Sequence, residues 1–107
     1  MWHEPSSEEL AKLPRLYETE NIATDDKVVH MRFSIGSASW YAVEFDPDDE
    51  LFFGFVNLGD PLNAEWGFFC LQELRQVRIP PGFQIERDLW WTPRKVKDIA
   101  EIATLAV

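Results

Sequence analysis

At 107 residues, 46% of them hydrophobic, the chain is long enough for one domain with its own core and too apolar to be disordered. Its formal net charge of −9 opposes binding to nucleic-acid phosphates and to anionic membrane surfaces, and its longest apolar runs, residues 51–56 and 66–71, fall far short of the ~20 residues of a membrane span. A lone cysteine, Cys70, closes no internal disulfide, and MWHEPSSEEL lacks the basic and apolar regions of a signal peptide, so the expected location is the cytoplasm.

Residues 6–13 predict a short helix. Ser6 with Glu9 three residues later is a capping-box pattern, Leu10 and Leu13 share a face, and Pro14 stops the helix. Residues 15–26 read as an extended or irregular link closed by Asp25-Asp26. The period then becomes two: Val29, Met31, Phe33 and Ile35 alternate with Val28, His30, Arg32 and Ser34 along a half-buried strand. After a turn at residues 36–39, Tyr41, Val43 and Phe45 are expected on one face of a second strand, with Trp40, Ala42, Glu44 and Asp46 on the other. Pro47-Asp48-Asp49 is turn chemistry. Residues 51–58 form a third strand, apolar on both faces and therefore central or covered, and residues 65–70 a fourth.

Residues 71–77 predict a short helix and Pro80-Pro81-Gly82 a turn. Residues 83–91 are a fifth strand candidate, with Ile85, Leu89 and Trp91 inward and Glu86, Asp88 and Trp90 outward; Arg87 then points inward and requires a carboxylate. Thr92 as N-cap and Pro93 at the first position predict a C-terminal helix with a stripe of Val96, Ile99, Ala100 and Ala103, although Arg94, Lys95 and Lys97 oppose the helix dipole there. The expected fold is α+β: a single mainly antiparallel four- to five-stranded meander with two or three short helices over one face. A small β-barrel is the second choice.

The charge is uneven. Residues 1–66 hold 14 acids and 4 Lys/Arg, the rest 5 acids and 6 Lys/Arg, and between Arg32 and Arg75 eight acids stand without a base. Five of those carboxylates fall within residues 44–50. Asp46-Pro47-Asp48-Asp49-Glu50-Leu51 lacks the glycine of a calcium-binding loop, and His3, His30 and Cys70 have no zinc spacing, so no metal and no cofactor is expected. Glu44 and Asp46, two apart on a strand, have the spacing of a catalytic carboxylate pair, but so short a chain has little wall for a cleft. No catalytic residue is assigned. The stretch reads as a solvated turn, or as an attractant for a basic partner.

Five tryptophans exceed the needs of a small core. Trp40 falls with Glu44 and Asp46, and Trp90 with Glu86 and Asp88. Aromatic rings beside carboxylates on one sheet face resemble a protein-binding patch. The candidate partner-binding residues are therefore Trp40, Glu44, Asp46, Asp48, Asp49, Glu50, Glu86, Asp88 and Trp90.

Leu13-Pro14, Leu16-Tyr17, Thr19-Glu20, Asp26-Lys27, Trp40-Tyr41, Glu44-Phe45-Asp46, Phe53-Gly54, Gly67, Phe69, Leu74, Ile85-Glu86-Arg87-Asp88 and Pro93 stand in an order and spacing that resembles an uncharacterised bacterial domain-of-unknown-function family of small acidic proteins. The resemblance covers roughly residues 10–95, with EFD and ERDL its most specific parts and Pro47 a departure, since a small or glycine-like residue is expected there. It implies a setting on plasmids, conjugative elements and phages, and carries no activity. The expected function is a non-enzymatic interaction module for a basic protein, with no direct nucleic acid and no membrane. Its sharper form is an inhibitor of a nucleic-acid-handling defence system, anti-restriction or anti-CRISPR, whose acidic face mimics nucleic acid. The alternatives are a plasmid or phage regulatory or assembly subunit, for which a homodimer burying Trp40 or Trp90 would speak, and a small carboxylate-dependent hydrolase using Glu44, Asp46, Glu86 and Arg87.

Overall fold

The computed structural model of the protein describes residues 1–105. Helix α1 spans Ser7–Leu10, and both halves of its capping box form: Glu9 N–H donates to Ser6 Oγ at 3.1 Å and Ser6 N–H to Glu9 Oε1 at 2.9 Å. Strands β1 (Val28–Val29), β2 (Met31–Ile35), β3 (Ala38–Asp46), β4 (Leu51–Asn57) and β5 (Glu65–Cys70) follow. Helix α2 (Leu71–Gln76) leads to β6 (Glu86–Arg87), β7 (Arg94–Lys95) and helix α3 (Ala100–Leu105). The main sheet is antiparallel throughout, in the order β5-β4-β3-β2-β6. Four strands run as the expected meander, and β6 returns to the far edge beside β2. The sheet is open, with β5 and β6 as its edges, so the barrel alternative does not hold.

The doubly apolar reading of β4 is met by two cores, one on each face. On the first face, Met31, Phe33, Trp40, Ala42, Phe45, Phe52 and Phe69 pack against Leu13 beyond α1, Leu71 and Leu74 of α2, and Ile85. On the second, Val29, Tyr41, Val43 and Phe55 pack against Val96, Ile99 and Ile102. The expectation of helices over one face is therefore corrected: α1 and α2 cover one side and the C-terminal segment covers the other. Short helices gain little stability alone, and two apolar sheet faces both demand cover.

The C-terminal helix begins at Ala100 rather than at Thr92. Arg94 and Lys95 pair instead with Val29 and Val28, and Arg94 lies 3.9 Å over the Trp91 ring. Val96–Asp98 forms a single 3-10 turn before the helix. The basic run that opposed a helix start is satisfied by strand pairing and by an aromatic face. Ile102, outside the predicted stripe, is fully buried, whereas Ala100 is exposed. The fifth strand is likewise short. Only Glu86 and Arg87 pair with β2, so alternation ends there and Leu89 is exposed rather than inward.

Stability is expected to fall with pH in two stages. Burial pushes the His30 imidazole below its usual 6.5. The unfolded chain therefore takes up that proton first, and stability declines as pH drops below 6.5. Hydrogen bonds from Arg87, then from the Ser6 backbone, hold the Glu9 carboxyl down at about 2 against an ordinary 4.5. Arg75 lowers Glu4 in the same way. Both contributions are complete above 4.5 and fade as pH falls below it, that of Glu9 on the way down to about 2. Glu9 is more than a third exposed, so solvent screening holds its share to about 1 kcal/mol. Urea midpoints measured across this range should show both stages, and His30→Gln should remove the upper one only. A flat profile between neutrality and pH 5 would contradict the role given to His30.

Candidate functional site

Strand β3 carries a bulge. Ala42 pairs with Gly54 and Glu44 with Phe53, leaving Val43 as the extra residue. The bulge moves every later side chain of β3 to the opposite face from the one simple alternation gives. Phe45 joins the first core, and Glu44 leaves the face of Trp40. Two of the expected surface residues are thereby corrected. Trp40 is buried in the first core, and Glu44 is only 4% exposed.

Glu44 is held by the segment that read as an irregular link. Its Oε1 accepts from Tyr17 N–H at 2.9 Å, and its Oε2 from Thr19 N–H at 3.1 Å and from the Thr19 hydroxyl. The buried Lys27 ammonium donates to the Thr19 carbonyl, and to Thr19 Oγ1 at 3.0 Å. Tyr17 takes a left-handed φ of 70°, which turns its N–H and that of Thr19 toward the same carboxylate. Lysine, threonine and glutamate so form one buried chain of charge-assisted hydrogen bonds that ties residues 15–26 to the sheet. Thr19 and Lys27 were not among the predicted site residues. The only signals for them were the pairs Leu16-Tyr17, Thr19-Glu20 and Asp26-Lys27 that carry the family resemblance.

The rest of the acidic stretch is a turn, as its composition implied. Asp46 is half-buried and its Oδ1 accepts from Asp48 N–H at 3.0 Å, an Asx-type closure. Glu50 adopts a φ of 51° and lies 3.7 Å from the Arg75 guanidinium, which also binds Glu4. Asp48 and Asp49 are exposed and, among the described residues, make no ion pair. Also among the described residues, no three His, Cys, Asp or Glu side chains converge as a metal-ligand set.

Glu86, Asp88 and Trp90 lie apart from that turn, at the β6 edge. Glu86 is exposed, Asp88 is half-buried with its Oδ1 accepting from Trp90 N–H at 3.0 Å, and Trp90 is 92% exposed. They border a hollow of about 450 Å³ with Arg32, Ser34 and Arg87. Arg87 finds its carboxylate in Glu9, through a two-pronged contact that docks α1 on this edge. Arg32, Arg87 and the Met1 ammonium, 3.6 Å from Glu86, stand against Glu9, Glu86 and Asp88 and leave this edge close to neutral. The structure thus splits the predicted residues into two buried ones, an acidic turn, and a charge-balanced edge.

The opposite edge, β5, carries a feature the sequence reading did not single out. Phe68 is 50% exposed there, Tyr17 stacks edge-on against it and is 64% exposed, and Leu62 in the preceding loop is 93% exposed. A cavity of about 140 Å³ lies between Tyr17, Glu20, Phe53 and Phe68, above Lys27 and Glu44. A second, of about 190 Å³, lies on the other face of the strand between Val56, Leu58, Asp60, Asn63, Glu65 and Gly67.

Among the described residues no helix is long and apolar enough to cross a membrane. No curated protein and no solved structure matches this chain. A family model does, over residues 6–106, which takes in the capping box, the Glu44 lock, both sheet edges and the C-terminal segment. The chain belongs to that family, described as protein of unknown function (DUF2958).

Proposed function

We propose that the protein is a non-enzymatic binding module that takes up a basic protein partner on the β3–β4–β5 side of its sheet. The observation that carries the reading is the stretch between Arg32 and Arg75. It contributes eight acids and no base and builds strands β3 to β5. With Glu44 buried, Glu50 beside Arg75 and Glu73 on α2, the acids it leaves for a partner here are chiefly Asp48, Asp49, Asp60 and Glu65. Asp48 and Asp49 project from one of its turns. Asp60 and Glu65 flank its outer strand beside exposed Leu58, Leu62 and Phe68. Carboxylates ringing apolar side chains suit a basic partner that also brings apolar contacts, the charges speeding encounter and the apolar area slowing release. A role in plasmid, conjugative-element or phage biology belongs to the same proposal and rests on the resemblance of the residues quoted above.

The sharper form is a partner that handles nucleic acid, whose basic groove the acidic side would occupy. The test is affinity capture from bacterial lysate, with the wild type beside Asp48→Lys/Asp49→Lys and Asp60→Lys/Glu65→Lys. Basic proteins are expected on the wild type, and are expected to be lost on charge reversal and at raised salt. Duplex DNA should displace them if the groove is the target. Displacement failure would favour a regulatory or assembly subunit instead. Capture that ignores both charge reversals would overturn the proposal.

A further inference from the structure

The β5 edge has a defined hydrogen-bonding phase. Leu71 N–H donates to Glu50 O at 2.9 Å, in line with a ladder in which Leu51 faces Cys70. In an antiparallel pair, bonded and non-bonded positions alternate. Counting from Glu50–Leu71, the pairs Phe52–Phe69, Gly54–Gly67 and Val56–Glu65 are the bonded ones. Gly67 and Phe69 therefore turn their N–H and C=O toward β4, while those of Trp66 and Phe68 face away from the sheet. Among the described residues no strand pairs with that side. The register along β5 is unbroken from Glu65 to Cys70, and the strand contains no lysine, proline or bulge, the usual devices that block an edge.

Both cavities described above straddle this edge, one on each face of the sheet. The hollow beside Gly67 is lined by Glu65 and by Asp60, whose carboxylate also accepts from Leu62 N–H at 3.1 Å and from Asn63 Nδ2 at 2.6 Å, and a Cβ built on Gly67 would meet nothing within 4 Å. The hollow beside Phe68 is walled by the rings of Tyr17, Phe53 and Phe68. Side chains of an added strand alternate between the two faces, so one set would enter the acidic hollow and the other the aromatic one. We propose that β5 is the docking edge for an extended segment of the basic partner. The segment adds as a sixth strand, with lysine or arginine toward Asp60 and Glu65 and apolar residues toward Tyr17, Phe53 and Phe68. This rests on the basic-partner reading above and specifies how the partner is held.

The probe is an end-blocked peptide of alternating lysine and valine, titrated into the wild-type protein and followed by backbone amide NMR. Two controls accompany it: the same peptide with alternate backbone nitrogens methylated, and one of equal composition with all lysines before all valines. The Trp66 and Phe68 amides are expected to shift, and their hydrogen exchange to slow by about tenfold or more. Both control peptides are expected to bind much more weakly. Glu65→Lys should weaken the alternating peptide by about tenfold, the scale of a lost interfacial charge pair. Binding that survives N-methylation, or that perturbs only residues 47–50, would overturn the edge proposal while leaving the basic-partner reading intact. Absence of binding by the alternating peptide would overturn the edge proposal also, and the lysate capture would then decide the broader reading alone. Trp66 and Phe68 amides protected in the free protein in a concentration-dependent way would assign the edge to a second copy of this chain, and so overturn the proposal.

Discussion

Gly54→Ala is expected to abolish folding, or to lower stability by more than about 3 kcal/mol. A Cβ on Gly54 would sit 1.8 Å from the Tyr41 carbonyl oxygen, 2.8 Å from its carbon and 3.2 Å from Ala42 Cα. All three are backbone atoms of the central strand, so no rotamer change relieves the clash. The close approach accompanies the bulge: Ala42 faces Gly54, and the next residue of β3, Val43, is the one left over. A glycine inside a strand marks just such a close backbone approach. Gly67→Ala is the matched control, because an added Cβ there meets open space. Urea unfolding followed by tryptophan fluorescence should place Gly67→Ala near the wild type, with Gly54→Ala far below it or insoluble. A Gly54→Ala protein within about 1 kcal/mol of the wild type would show that the bulge can shift along β3.

Glu44→Ala is expected to cost about 3–5 kcal/mol. The loss removes the acceptor of the Tyr17 and Thr19 N–H groups and of the Thr19 hydroxyl, and deprives the buried Lys27 ammonium, which bonds Thr19 oxygens alone, of the carboxylate it reaches through Thr19. An unpaired buried charge and orphaned donors are each costly, and here they occur together. Glu44→Gln keeps the shape but turns an amide toward donors, and should cost about 2 kcal/mol. Lys27→Met should be destabilising alone yet much less so on top of Glu44→Ala, because the two charges share one chain through Thr19. Limited proteolysis should then cut first between residues 15 and 26, the segment the lock holds down. A Glu44→Ala protein as stable and as protease-resistant as the wild type would refute the lock.

The two results bear on the same choice. Glu44 had two functional readings from its sequence position, a catalytic carboxylate beside Asp46 and a surface contact beside Trp40. Each assumed that residues two apart share a face, which the bulge at Val43 breaks for Trp40 and Glu44. Asp46 does share the face of Glu44, but it closes the turn at Asp48, while Glu44 is saturated with donors. The acidic character that remains for a partner lies with Asp48, Asp49, Asp60 and Glu65.

Local patterns determined much of this protein. The capping box at Ser6 and Glu9, the period of two from Met31 through Phe33 to Ile35, the bounds of β5 and the need of Arg87 for a carboxylate were all readable from neighbours in the chain, because capping, pleating and charge pairing act over a few residues or follow from burial. Val29, expected on the same face, lies instead in the second core, because the strand breaks at His30 and β1 pairs with β7. The acidic bias between Arg32 and Arg75 was equally plain as a count. What only the tertiary structure decided were the contacts that join distant segments. The bulge set by Gly54 across the ladder reversed the faces of Glu44 and Phe45. Thr19 and Lys27 reached Glu44 from a segment with no period at all. Pairing of Arg94 and Lys95 with β1 overrode the helix signal at Thr92-Pro93. Position in the sheet left β5 as an open edge, and strand order is written in long-range pairing, which no short window of sequence contains.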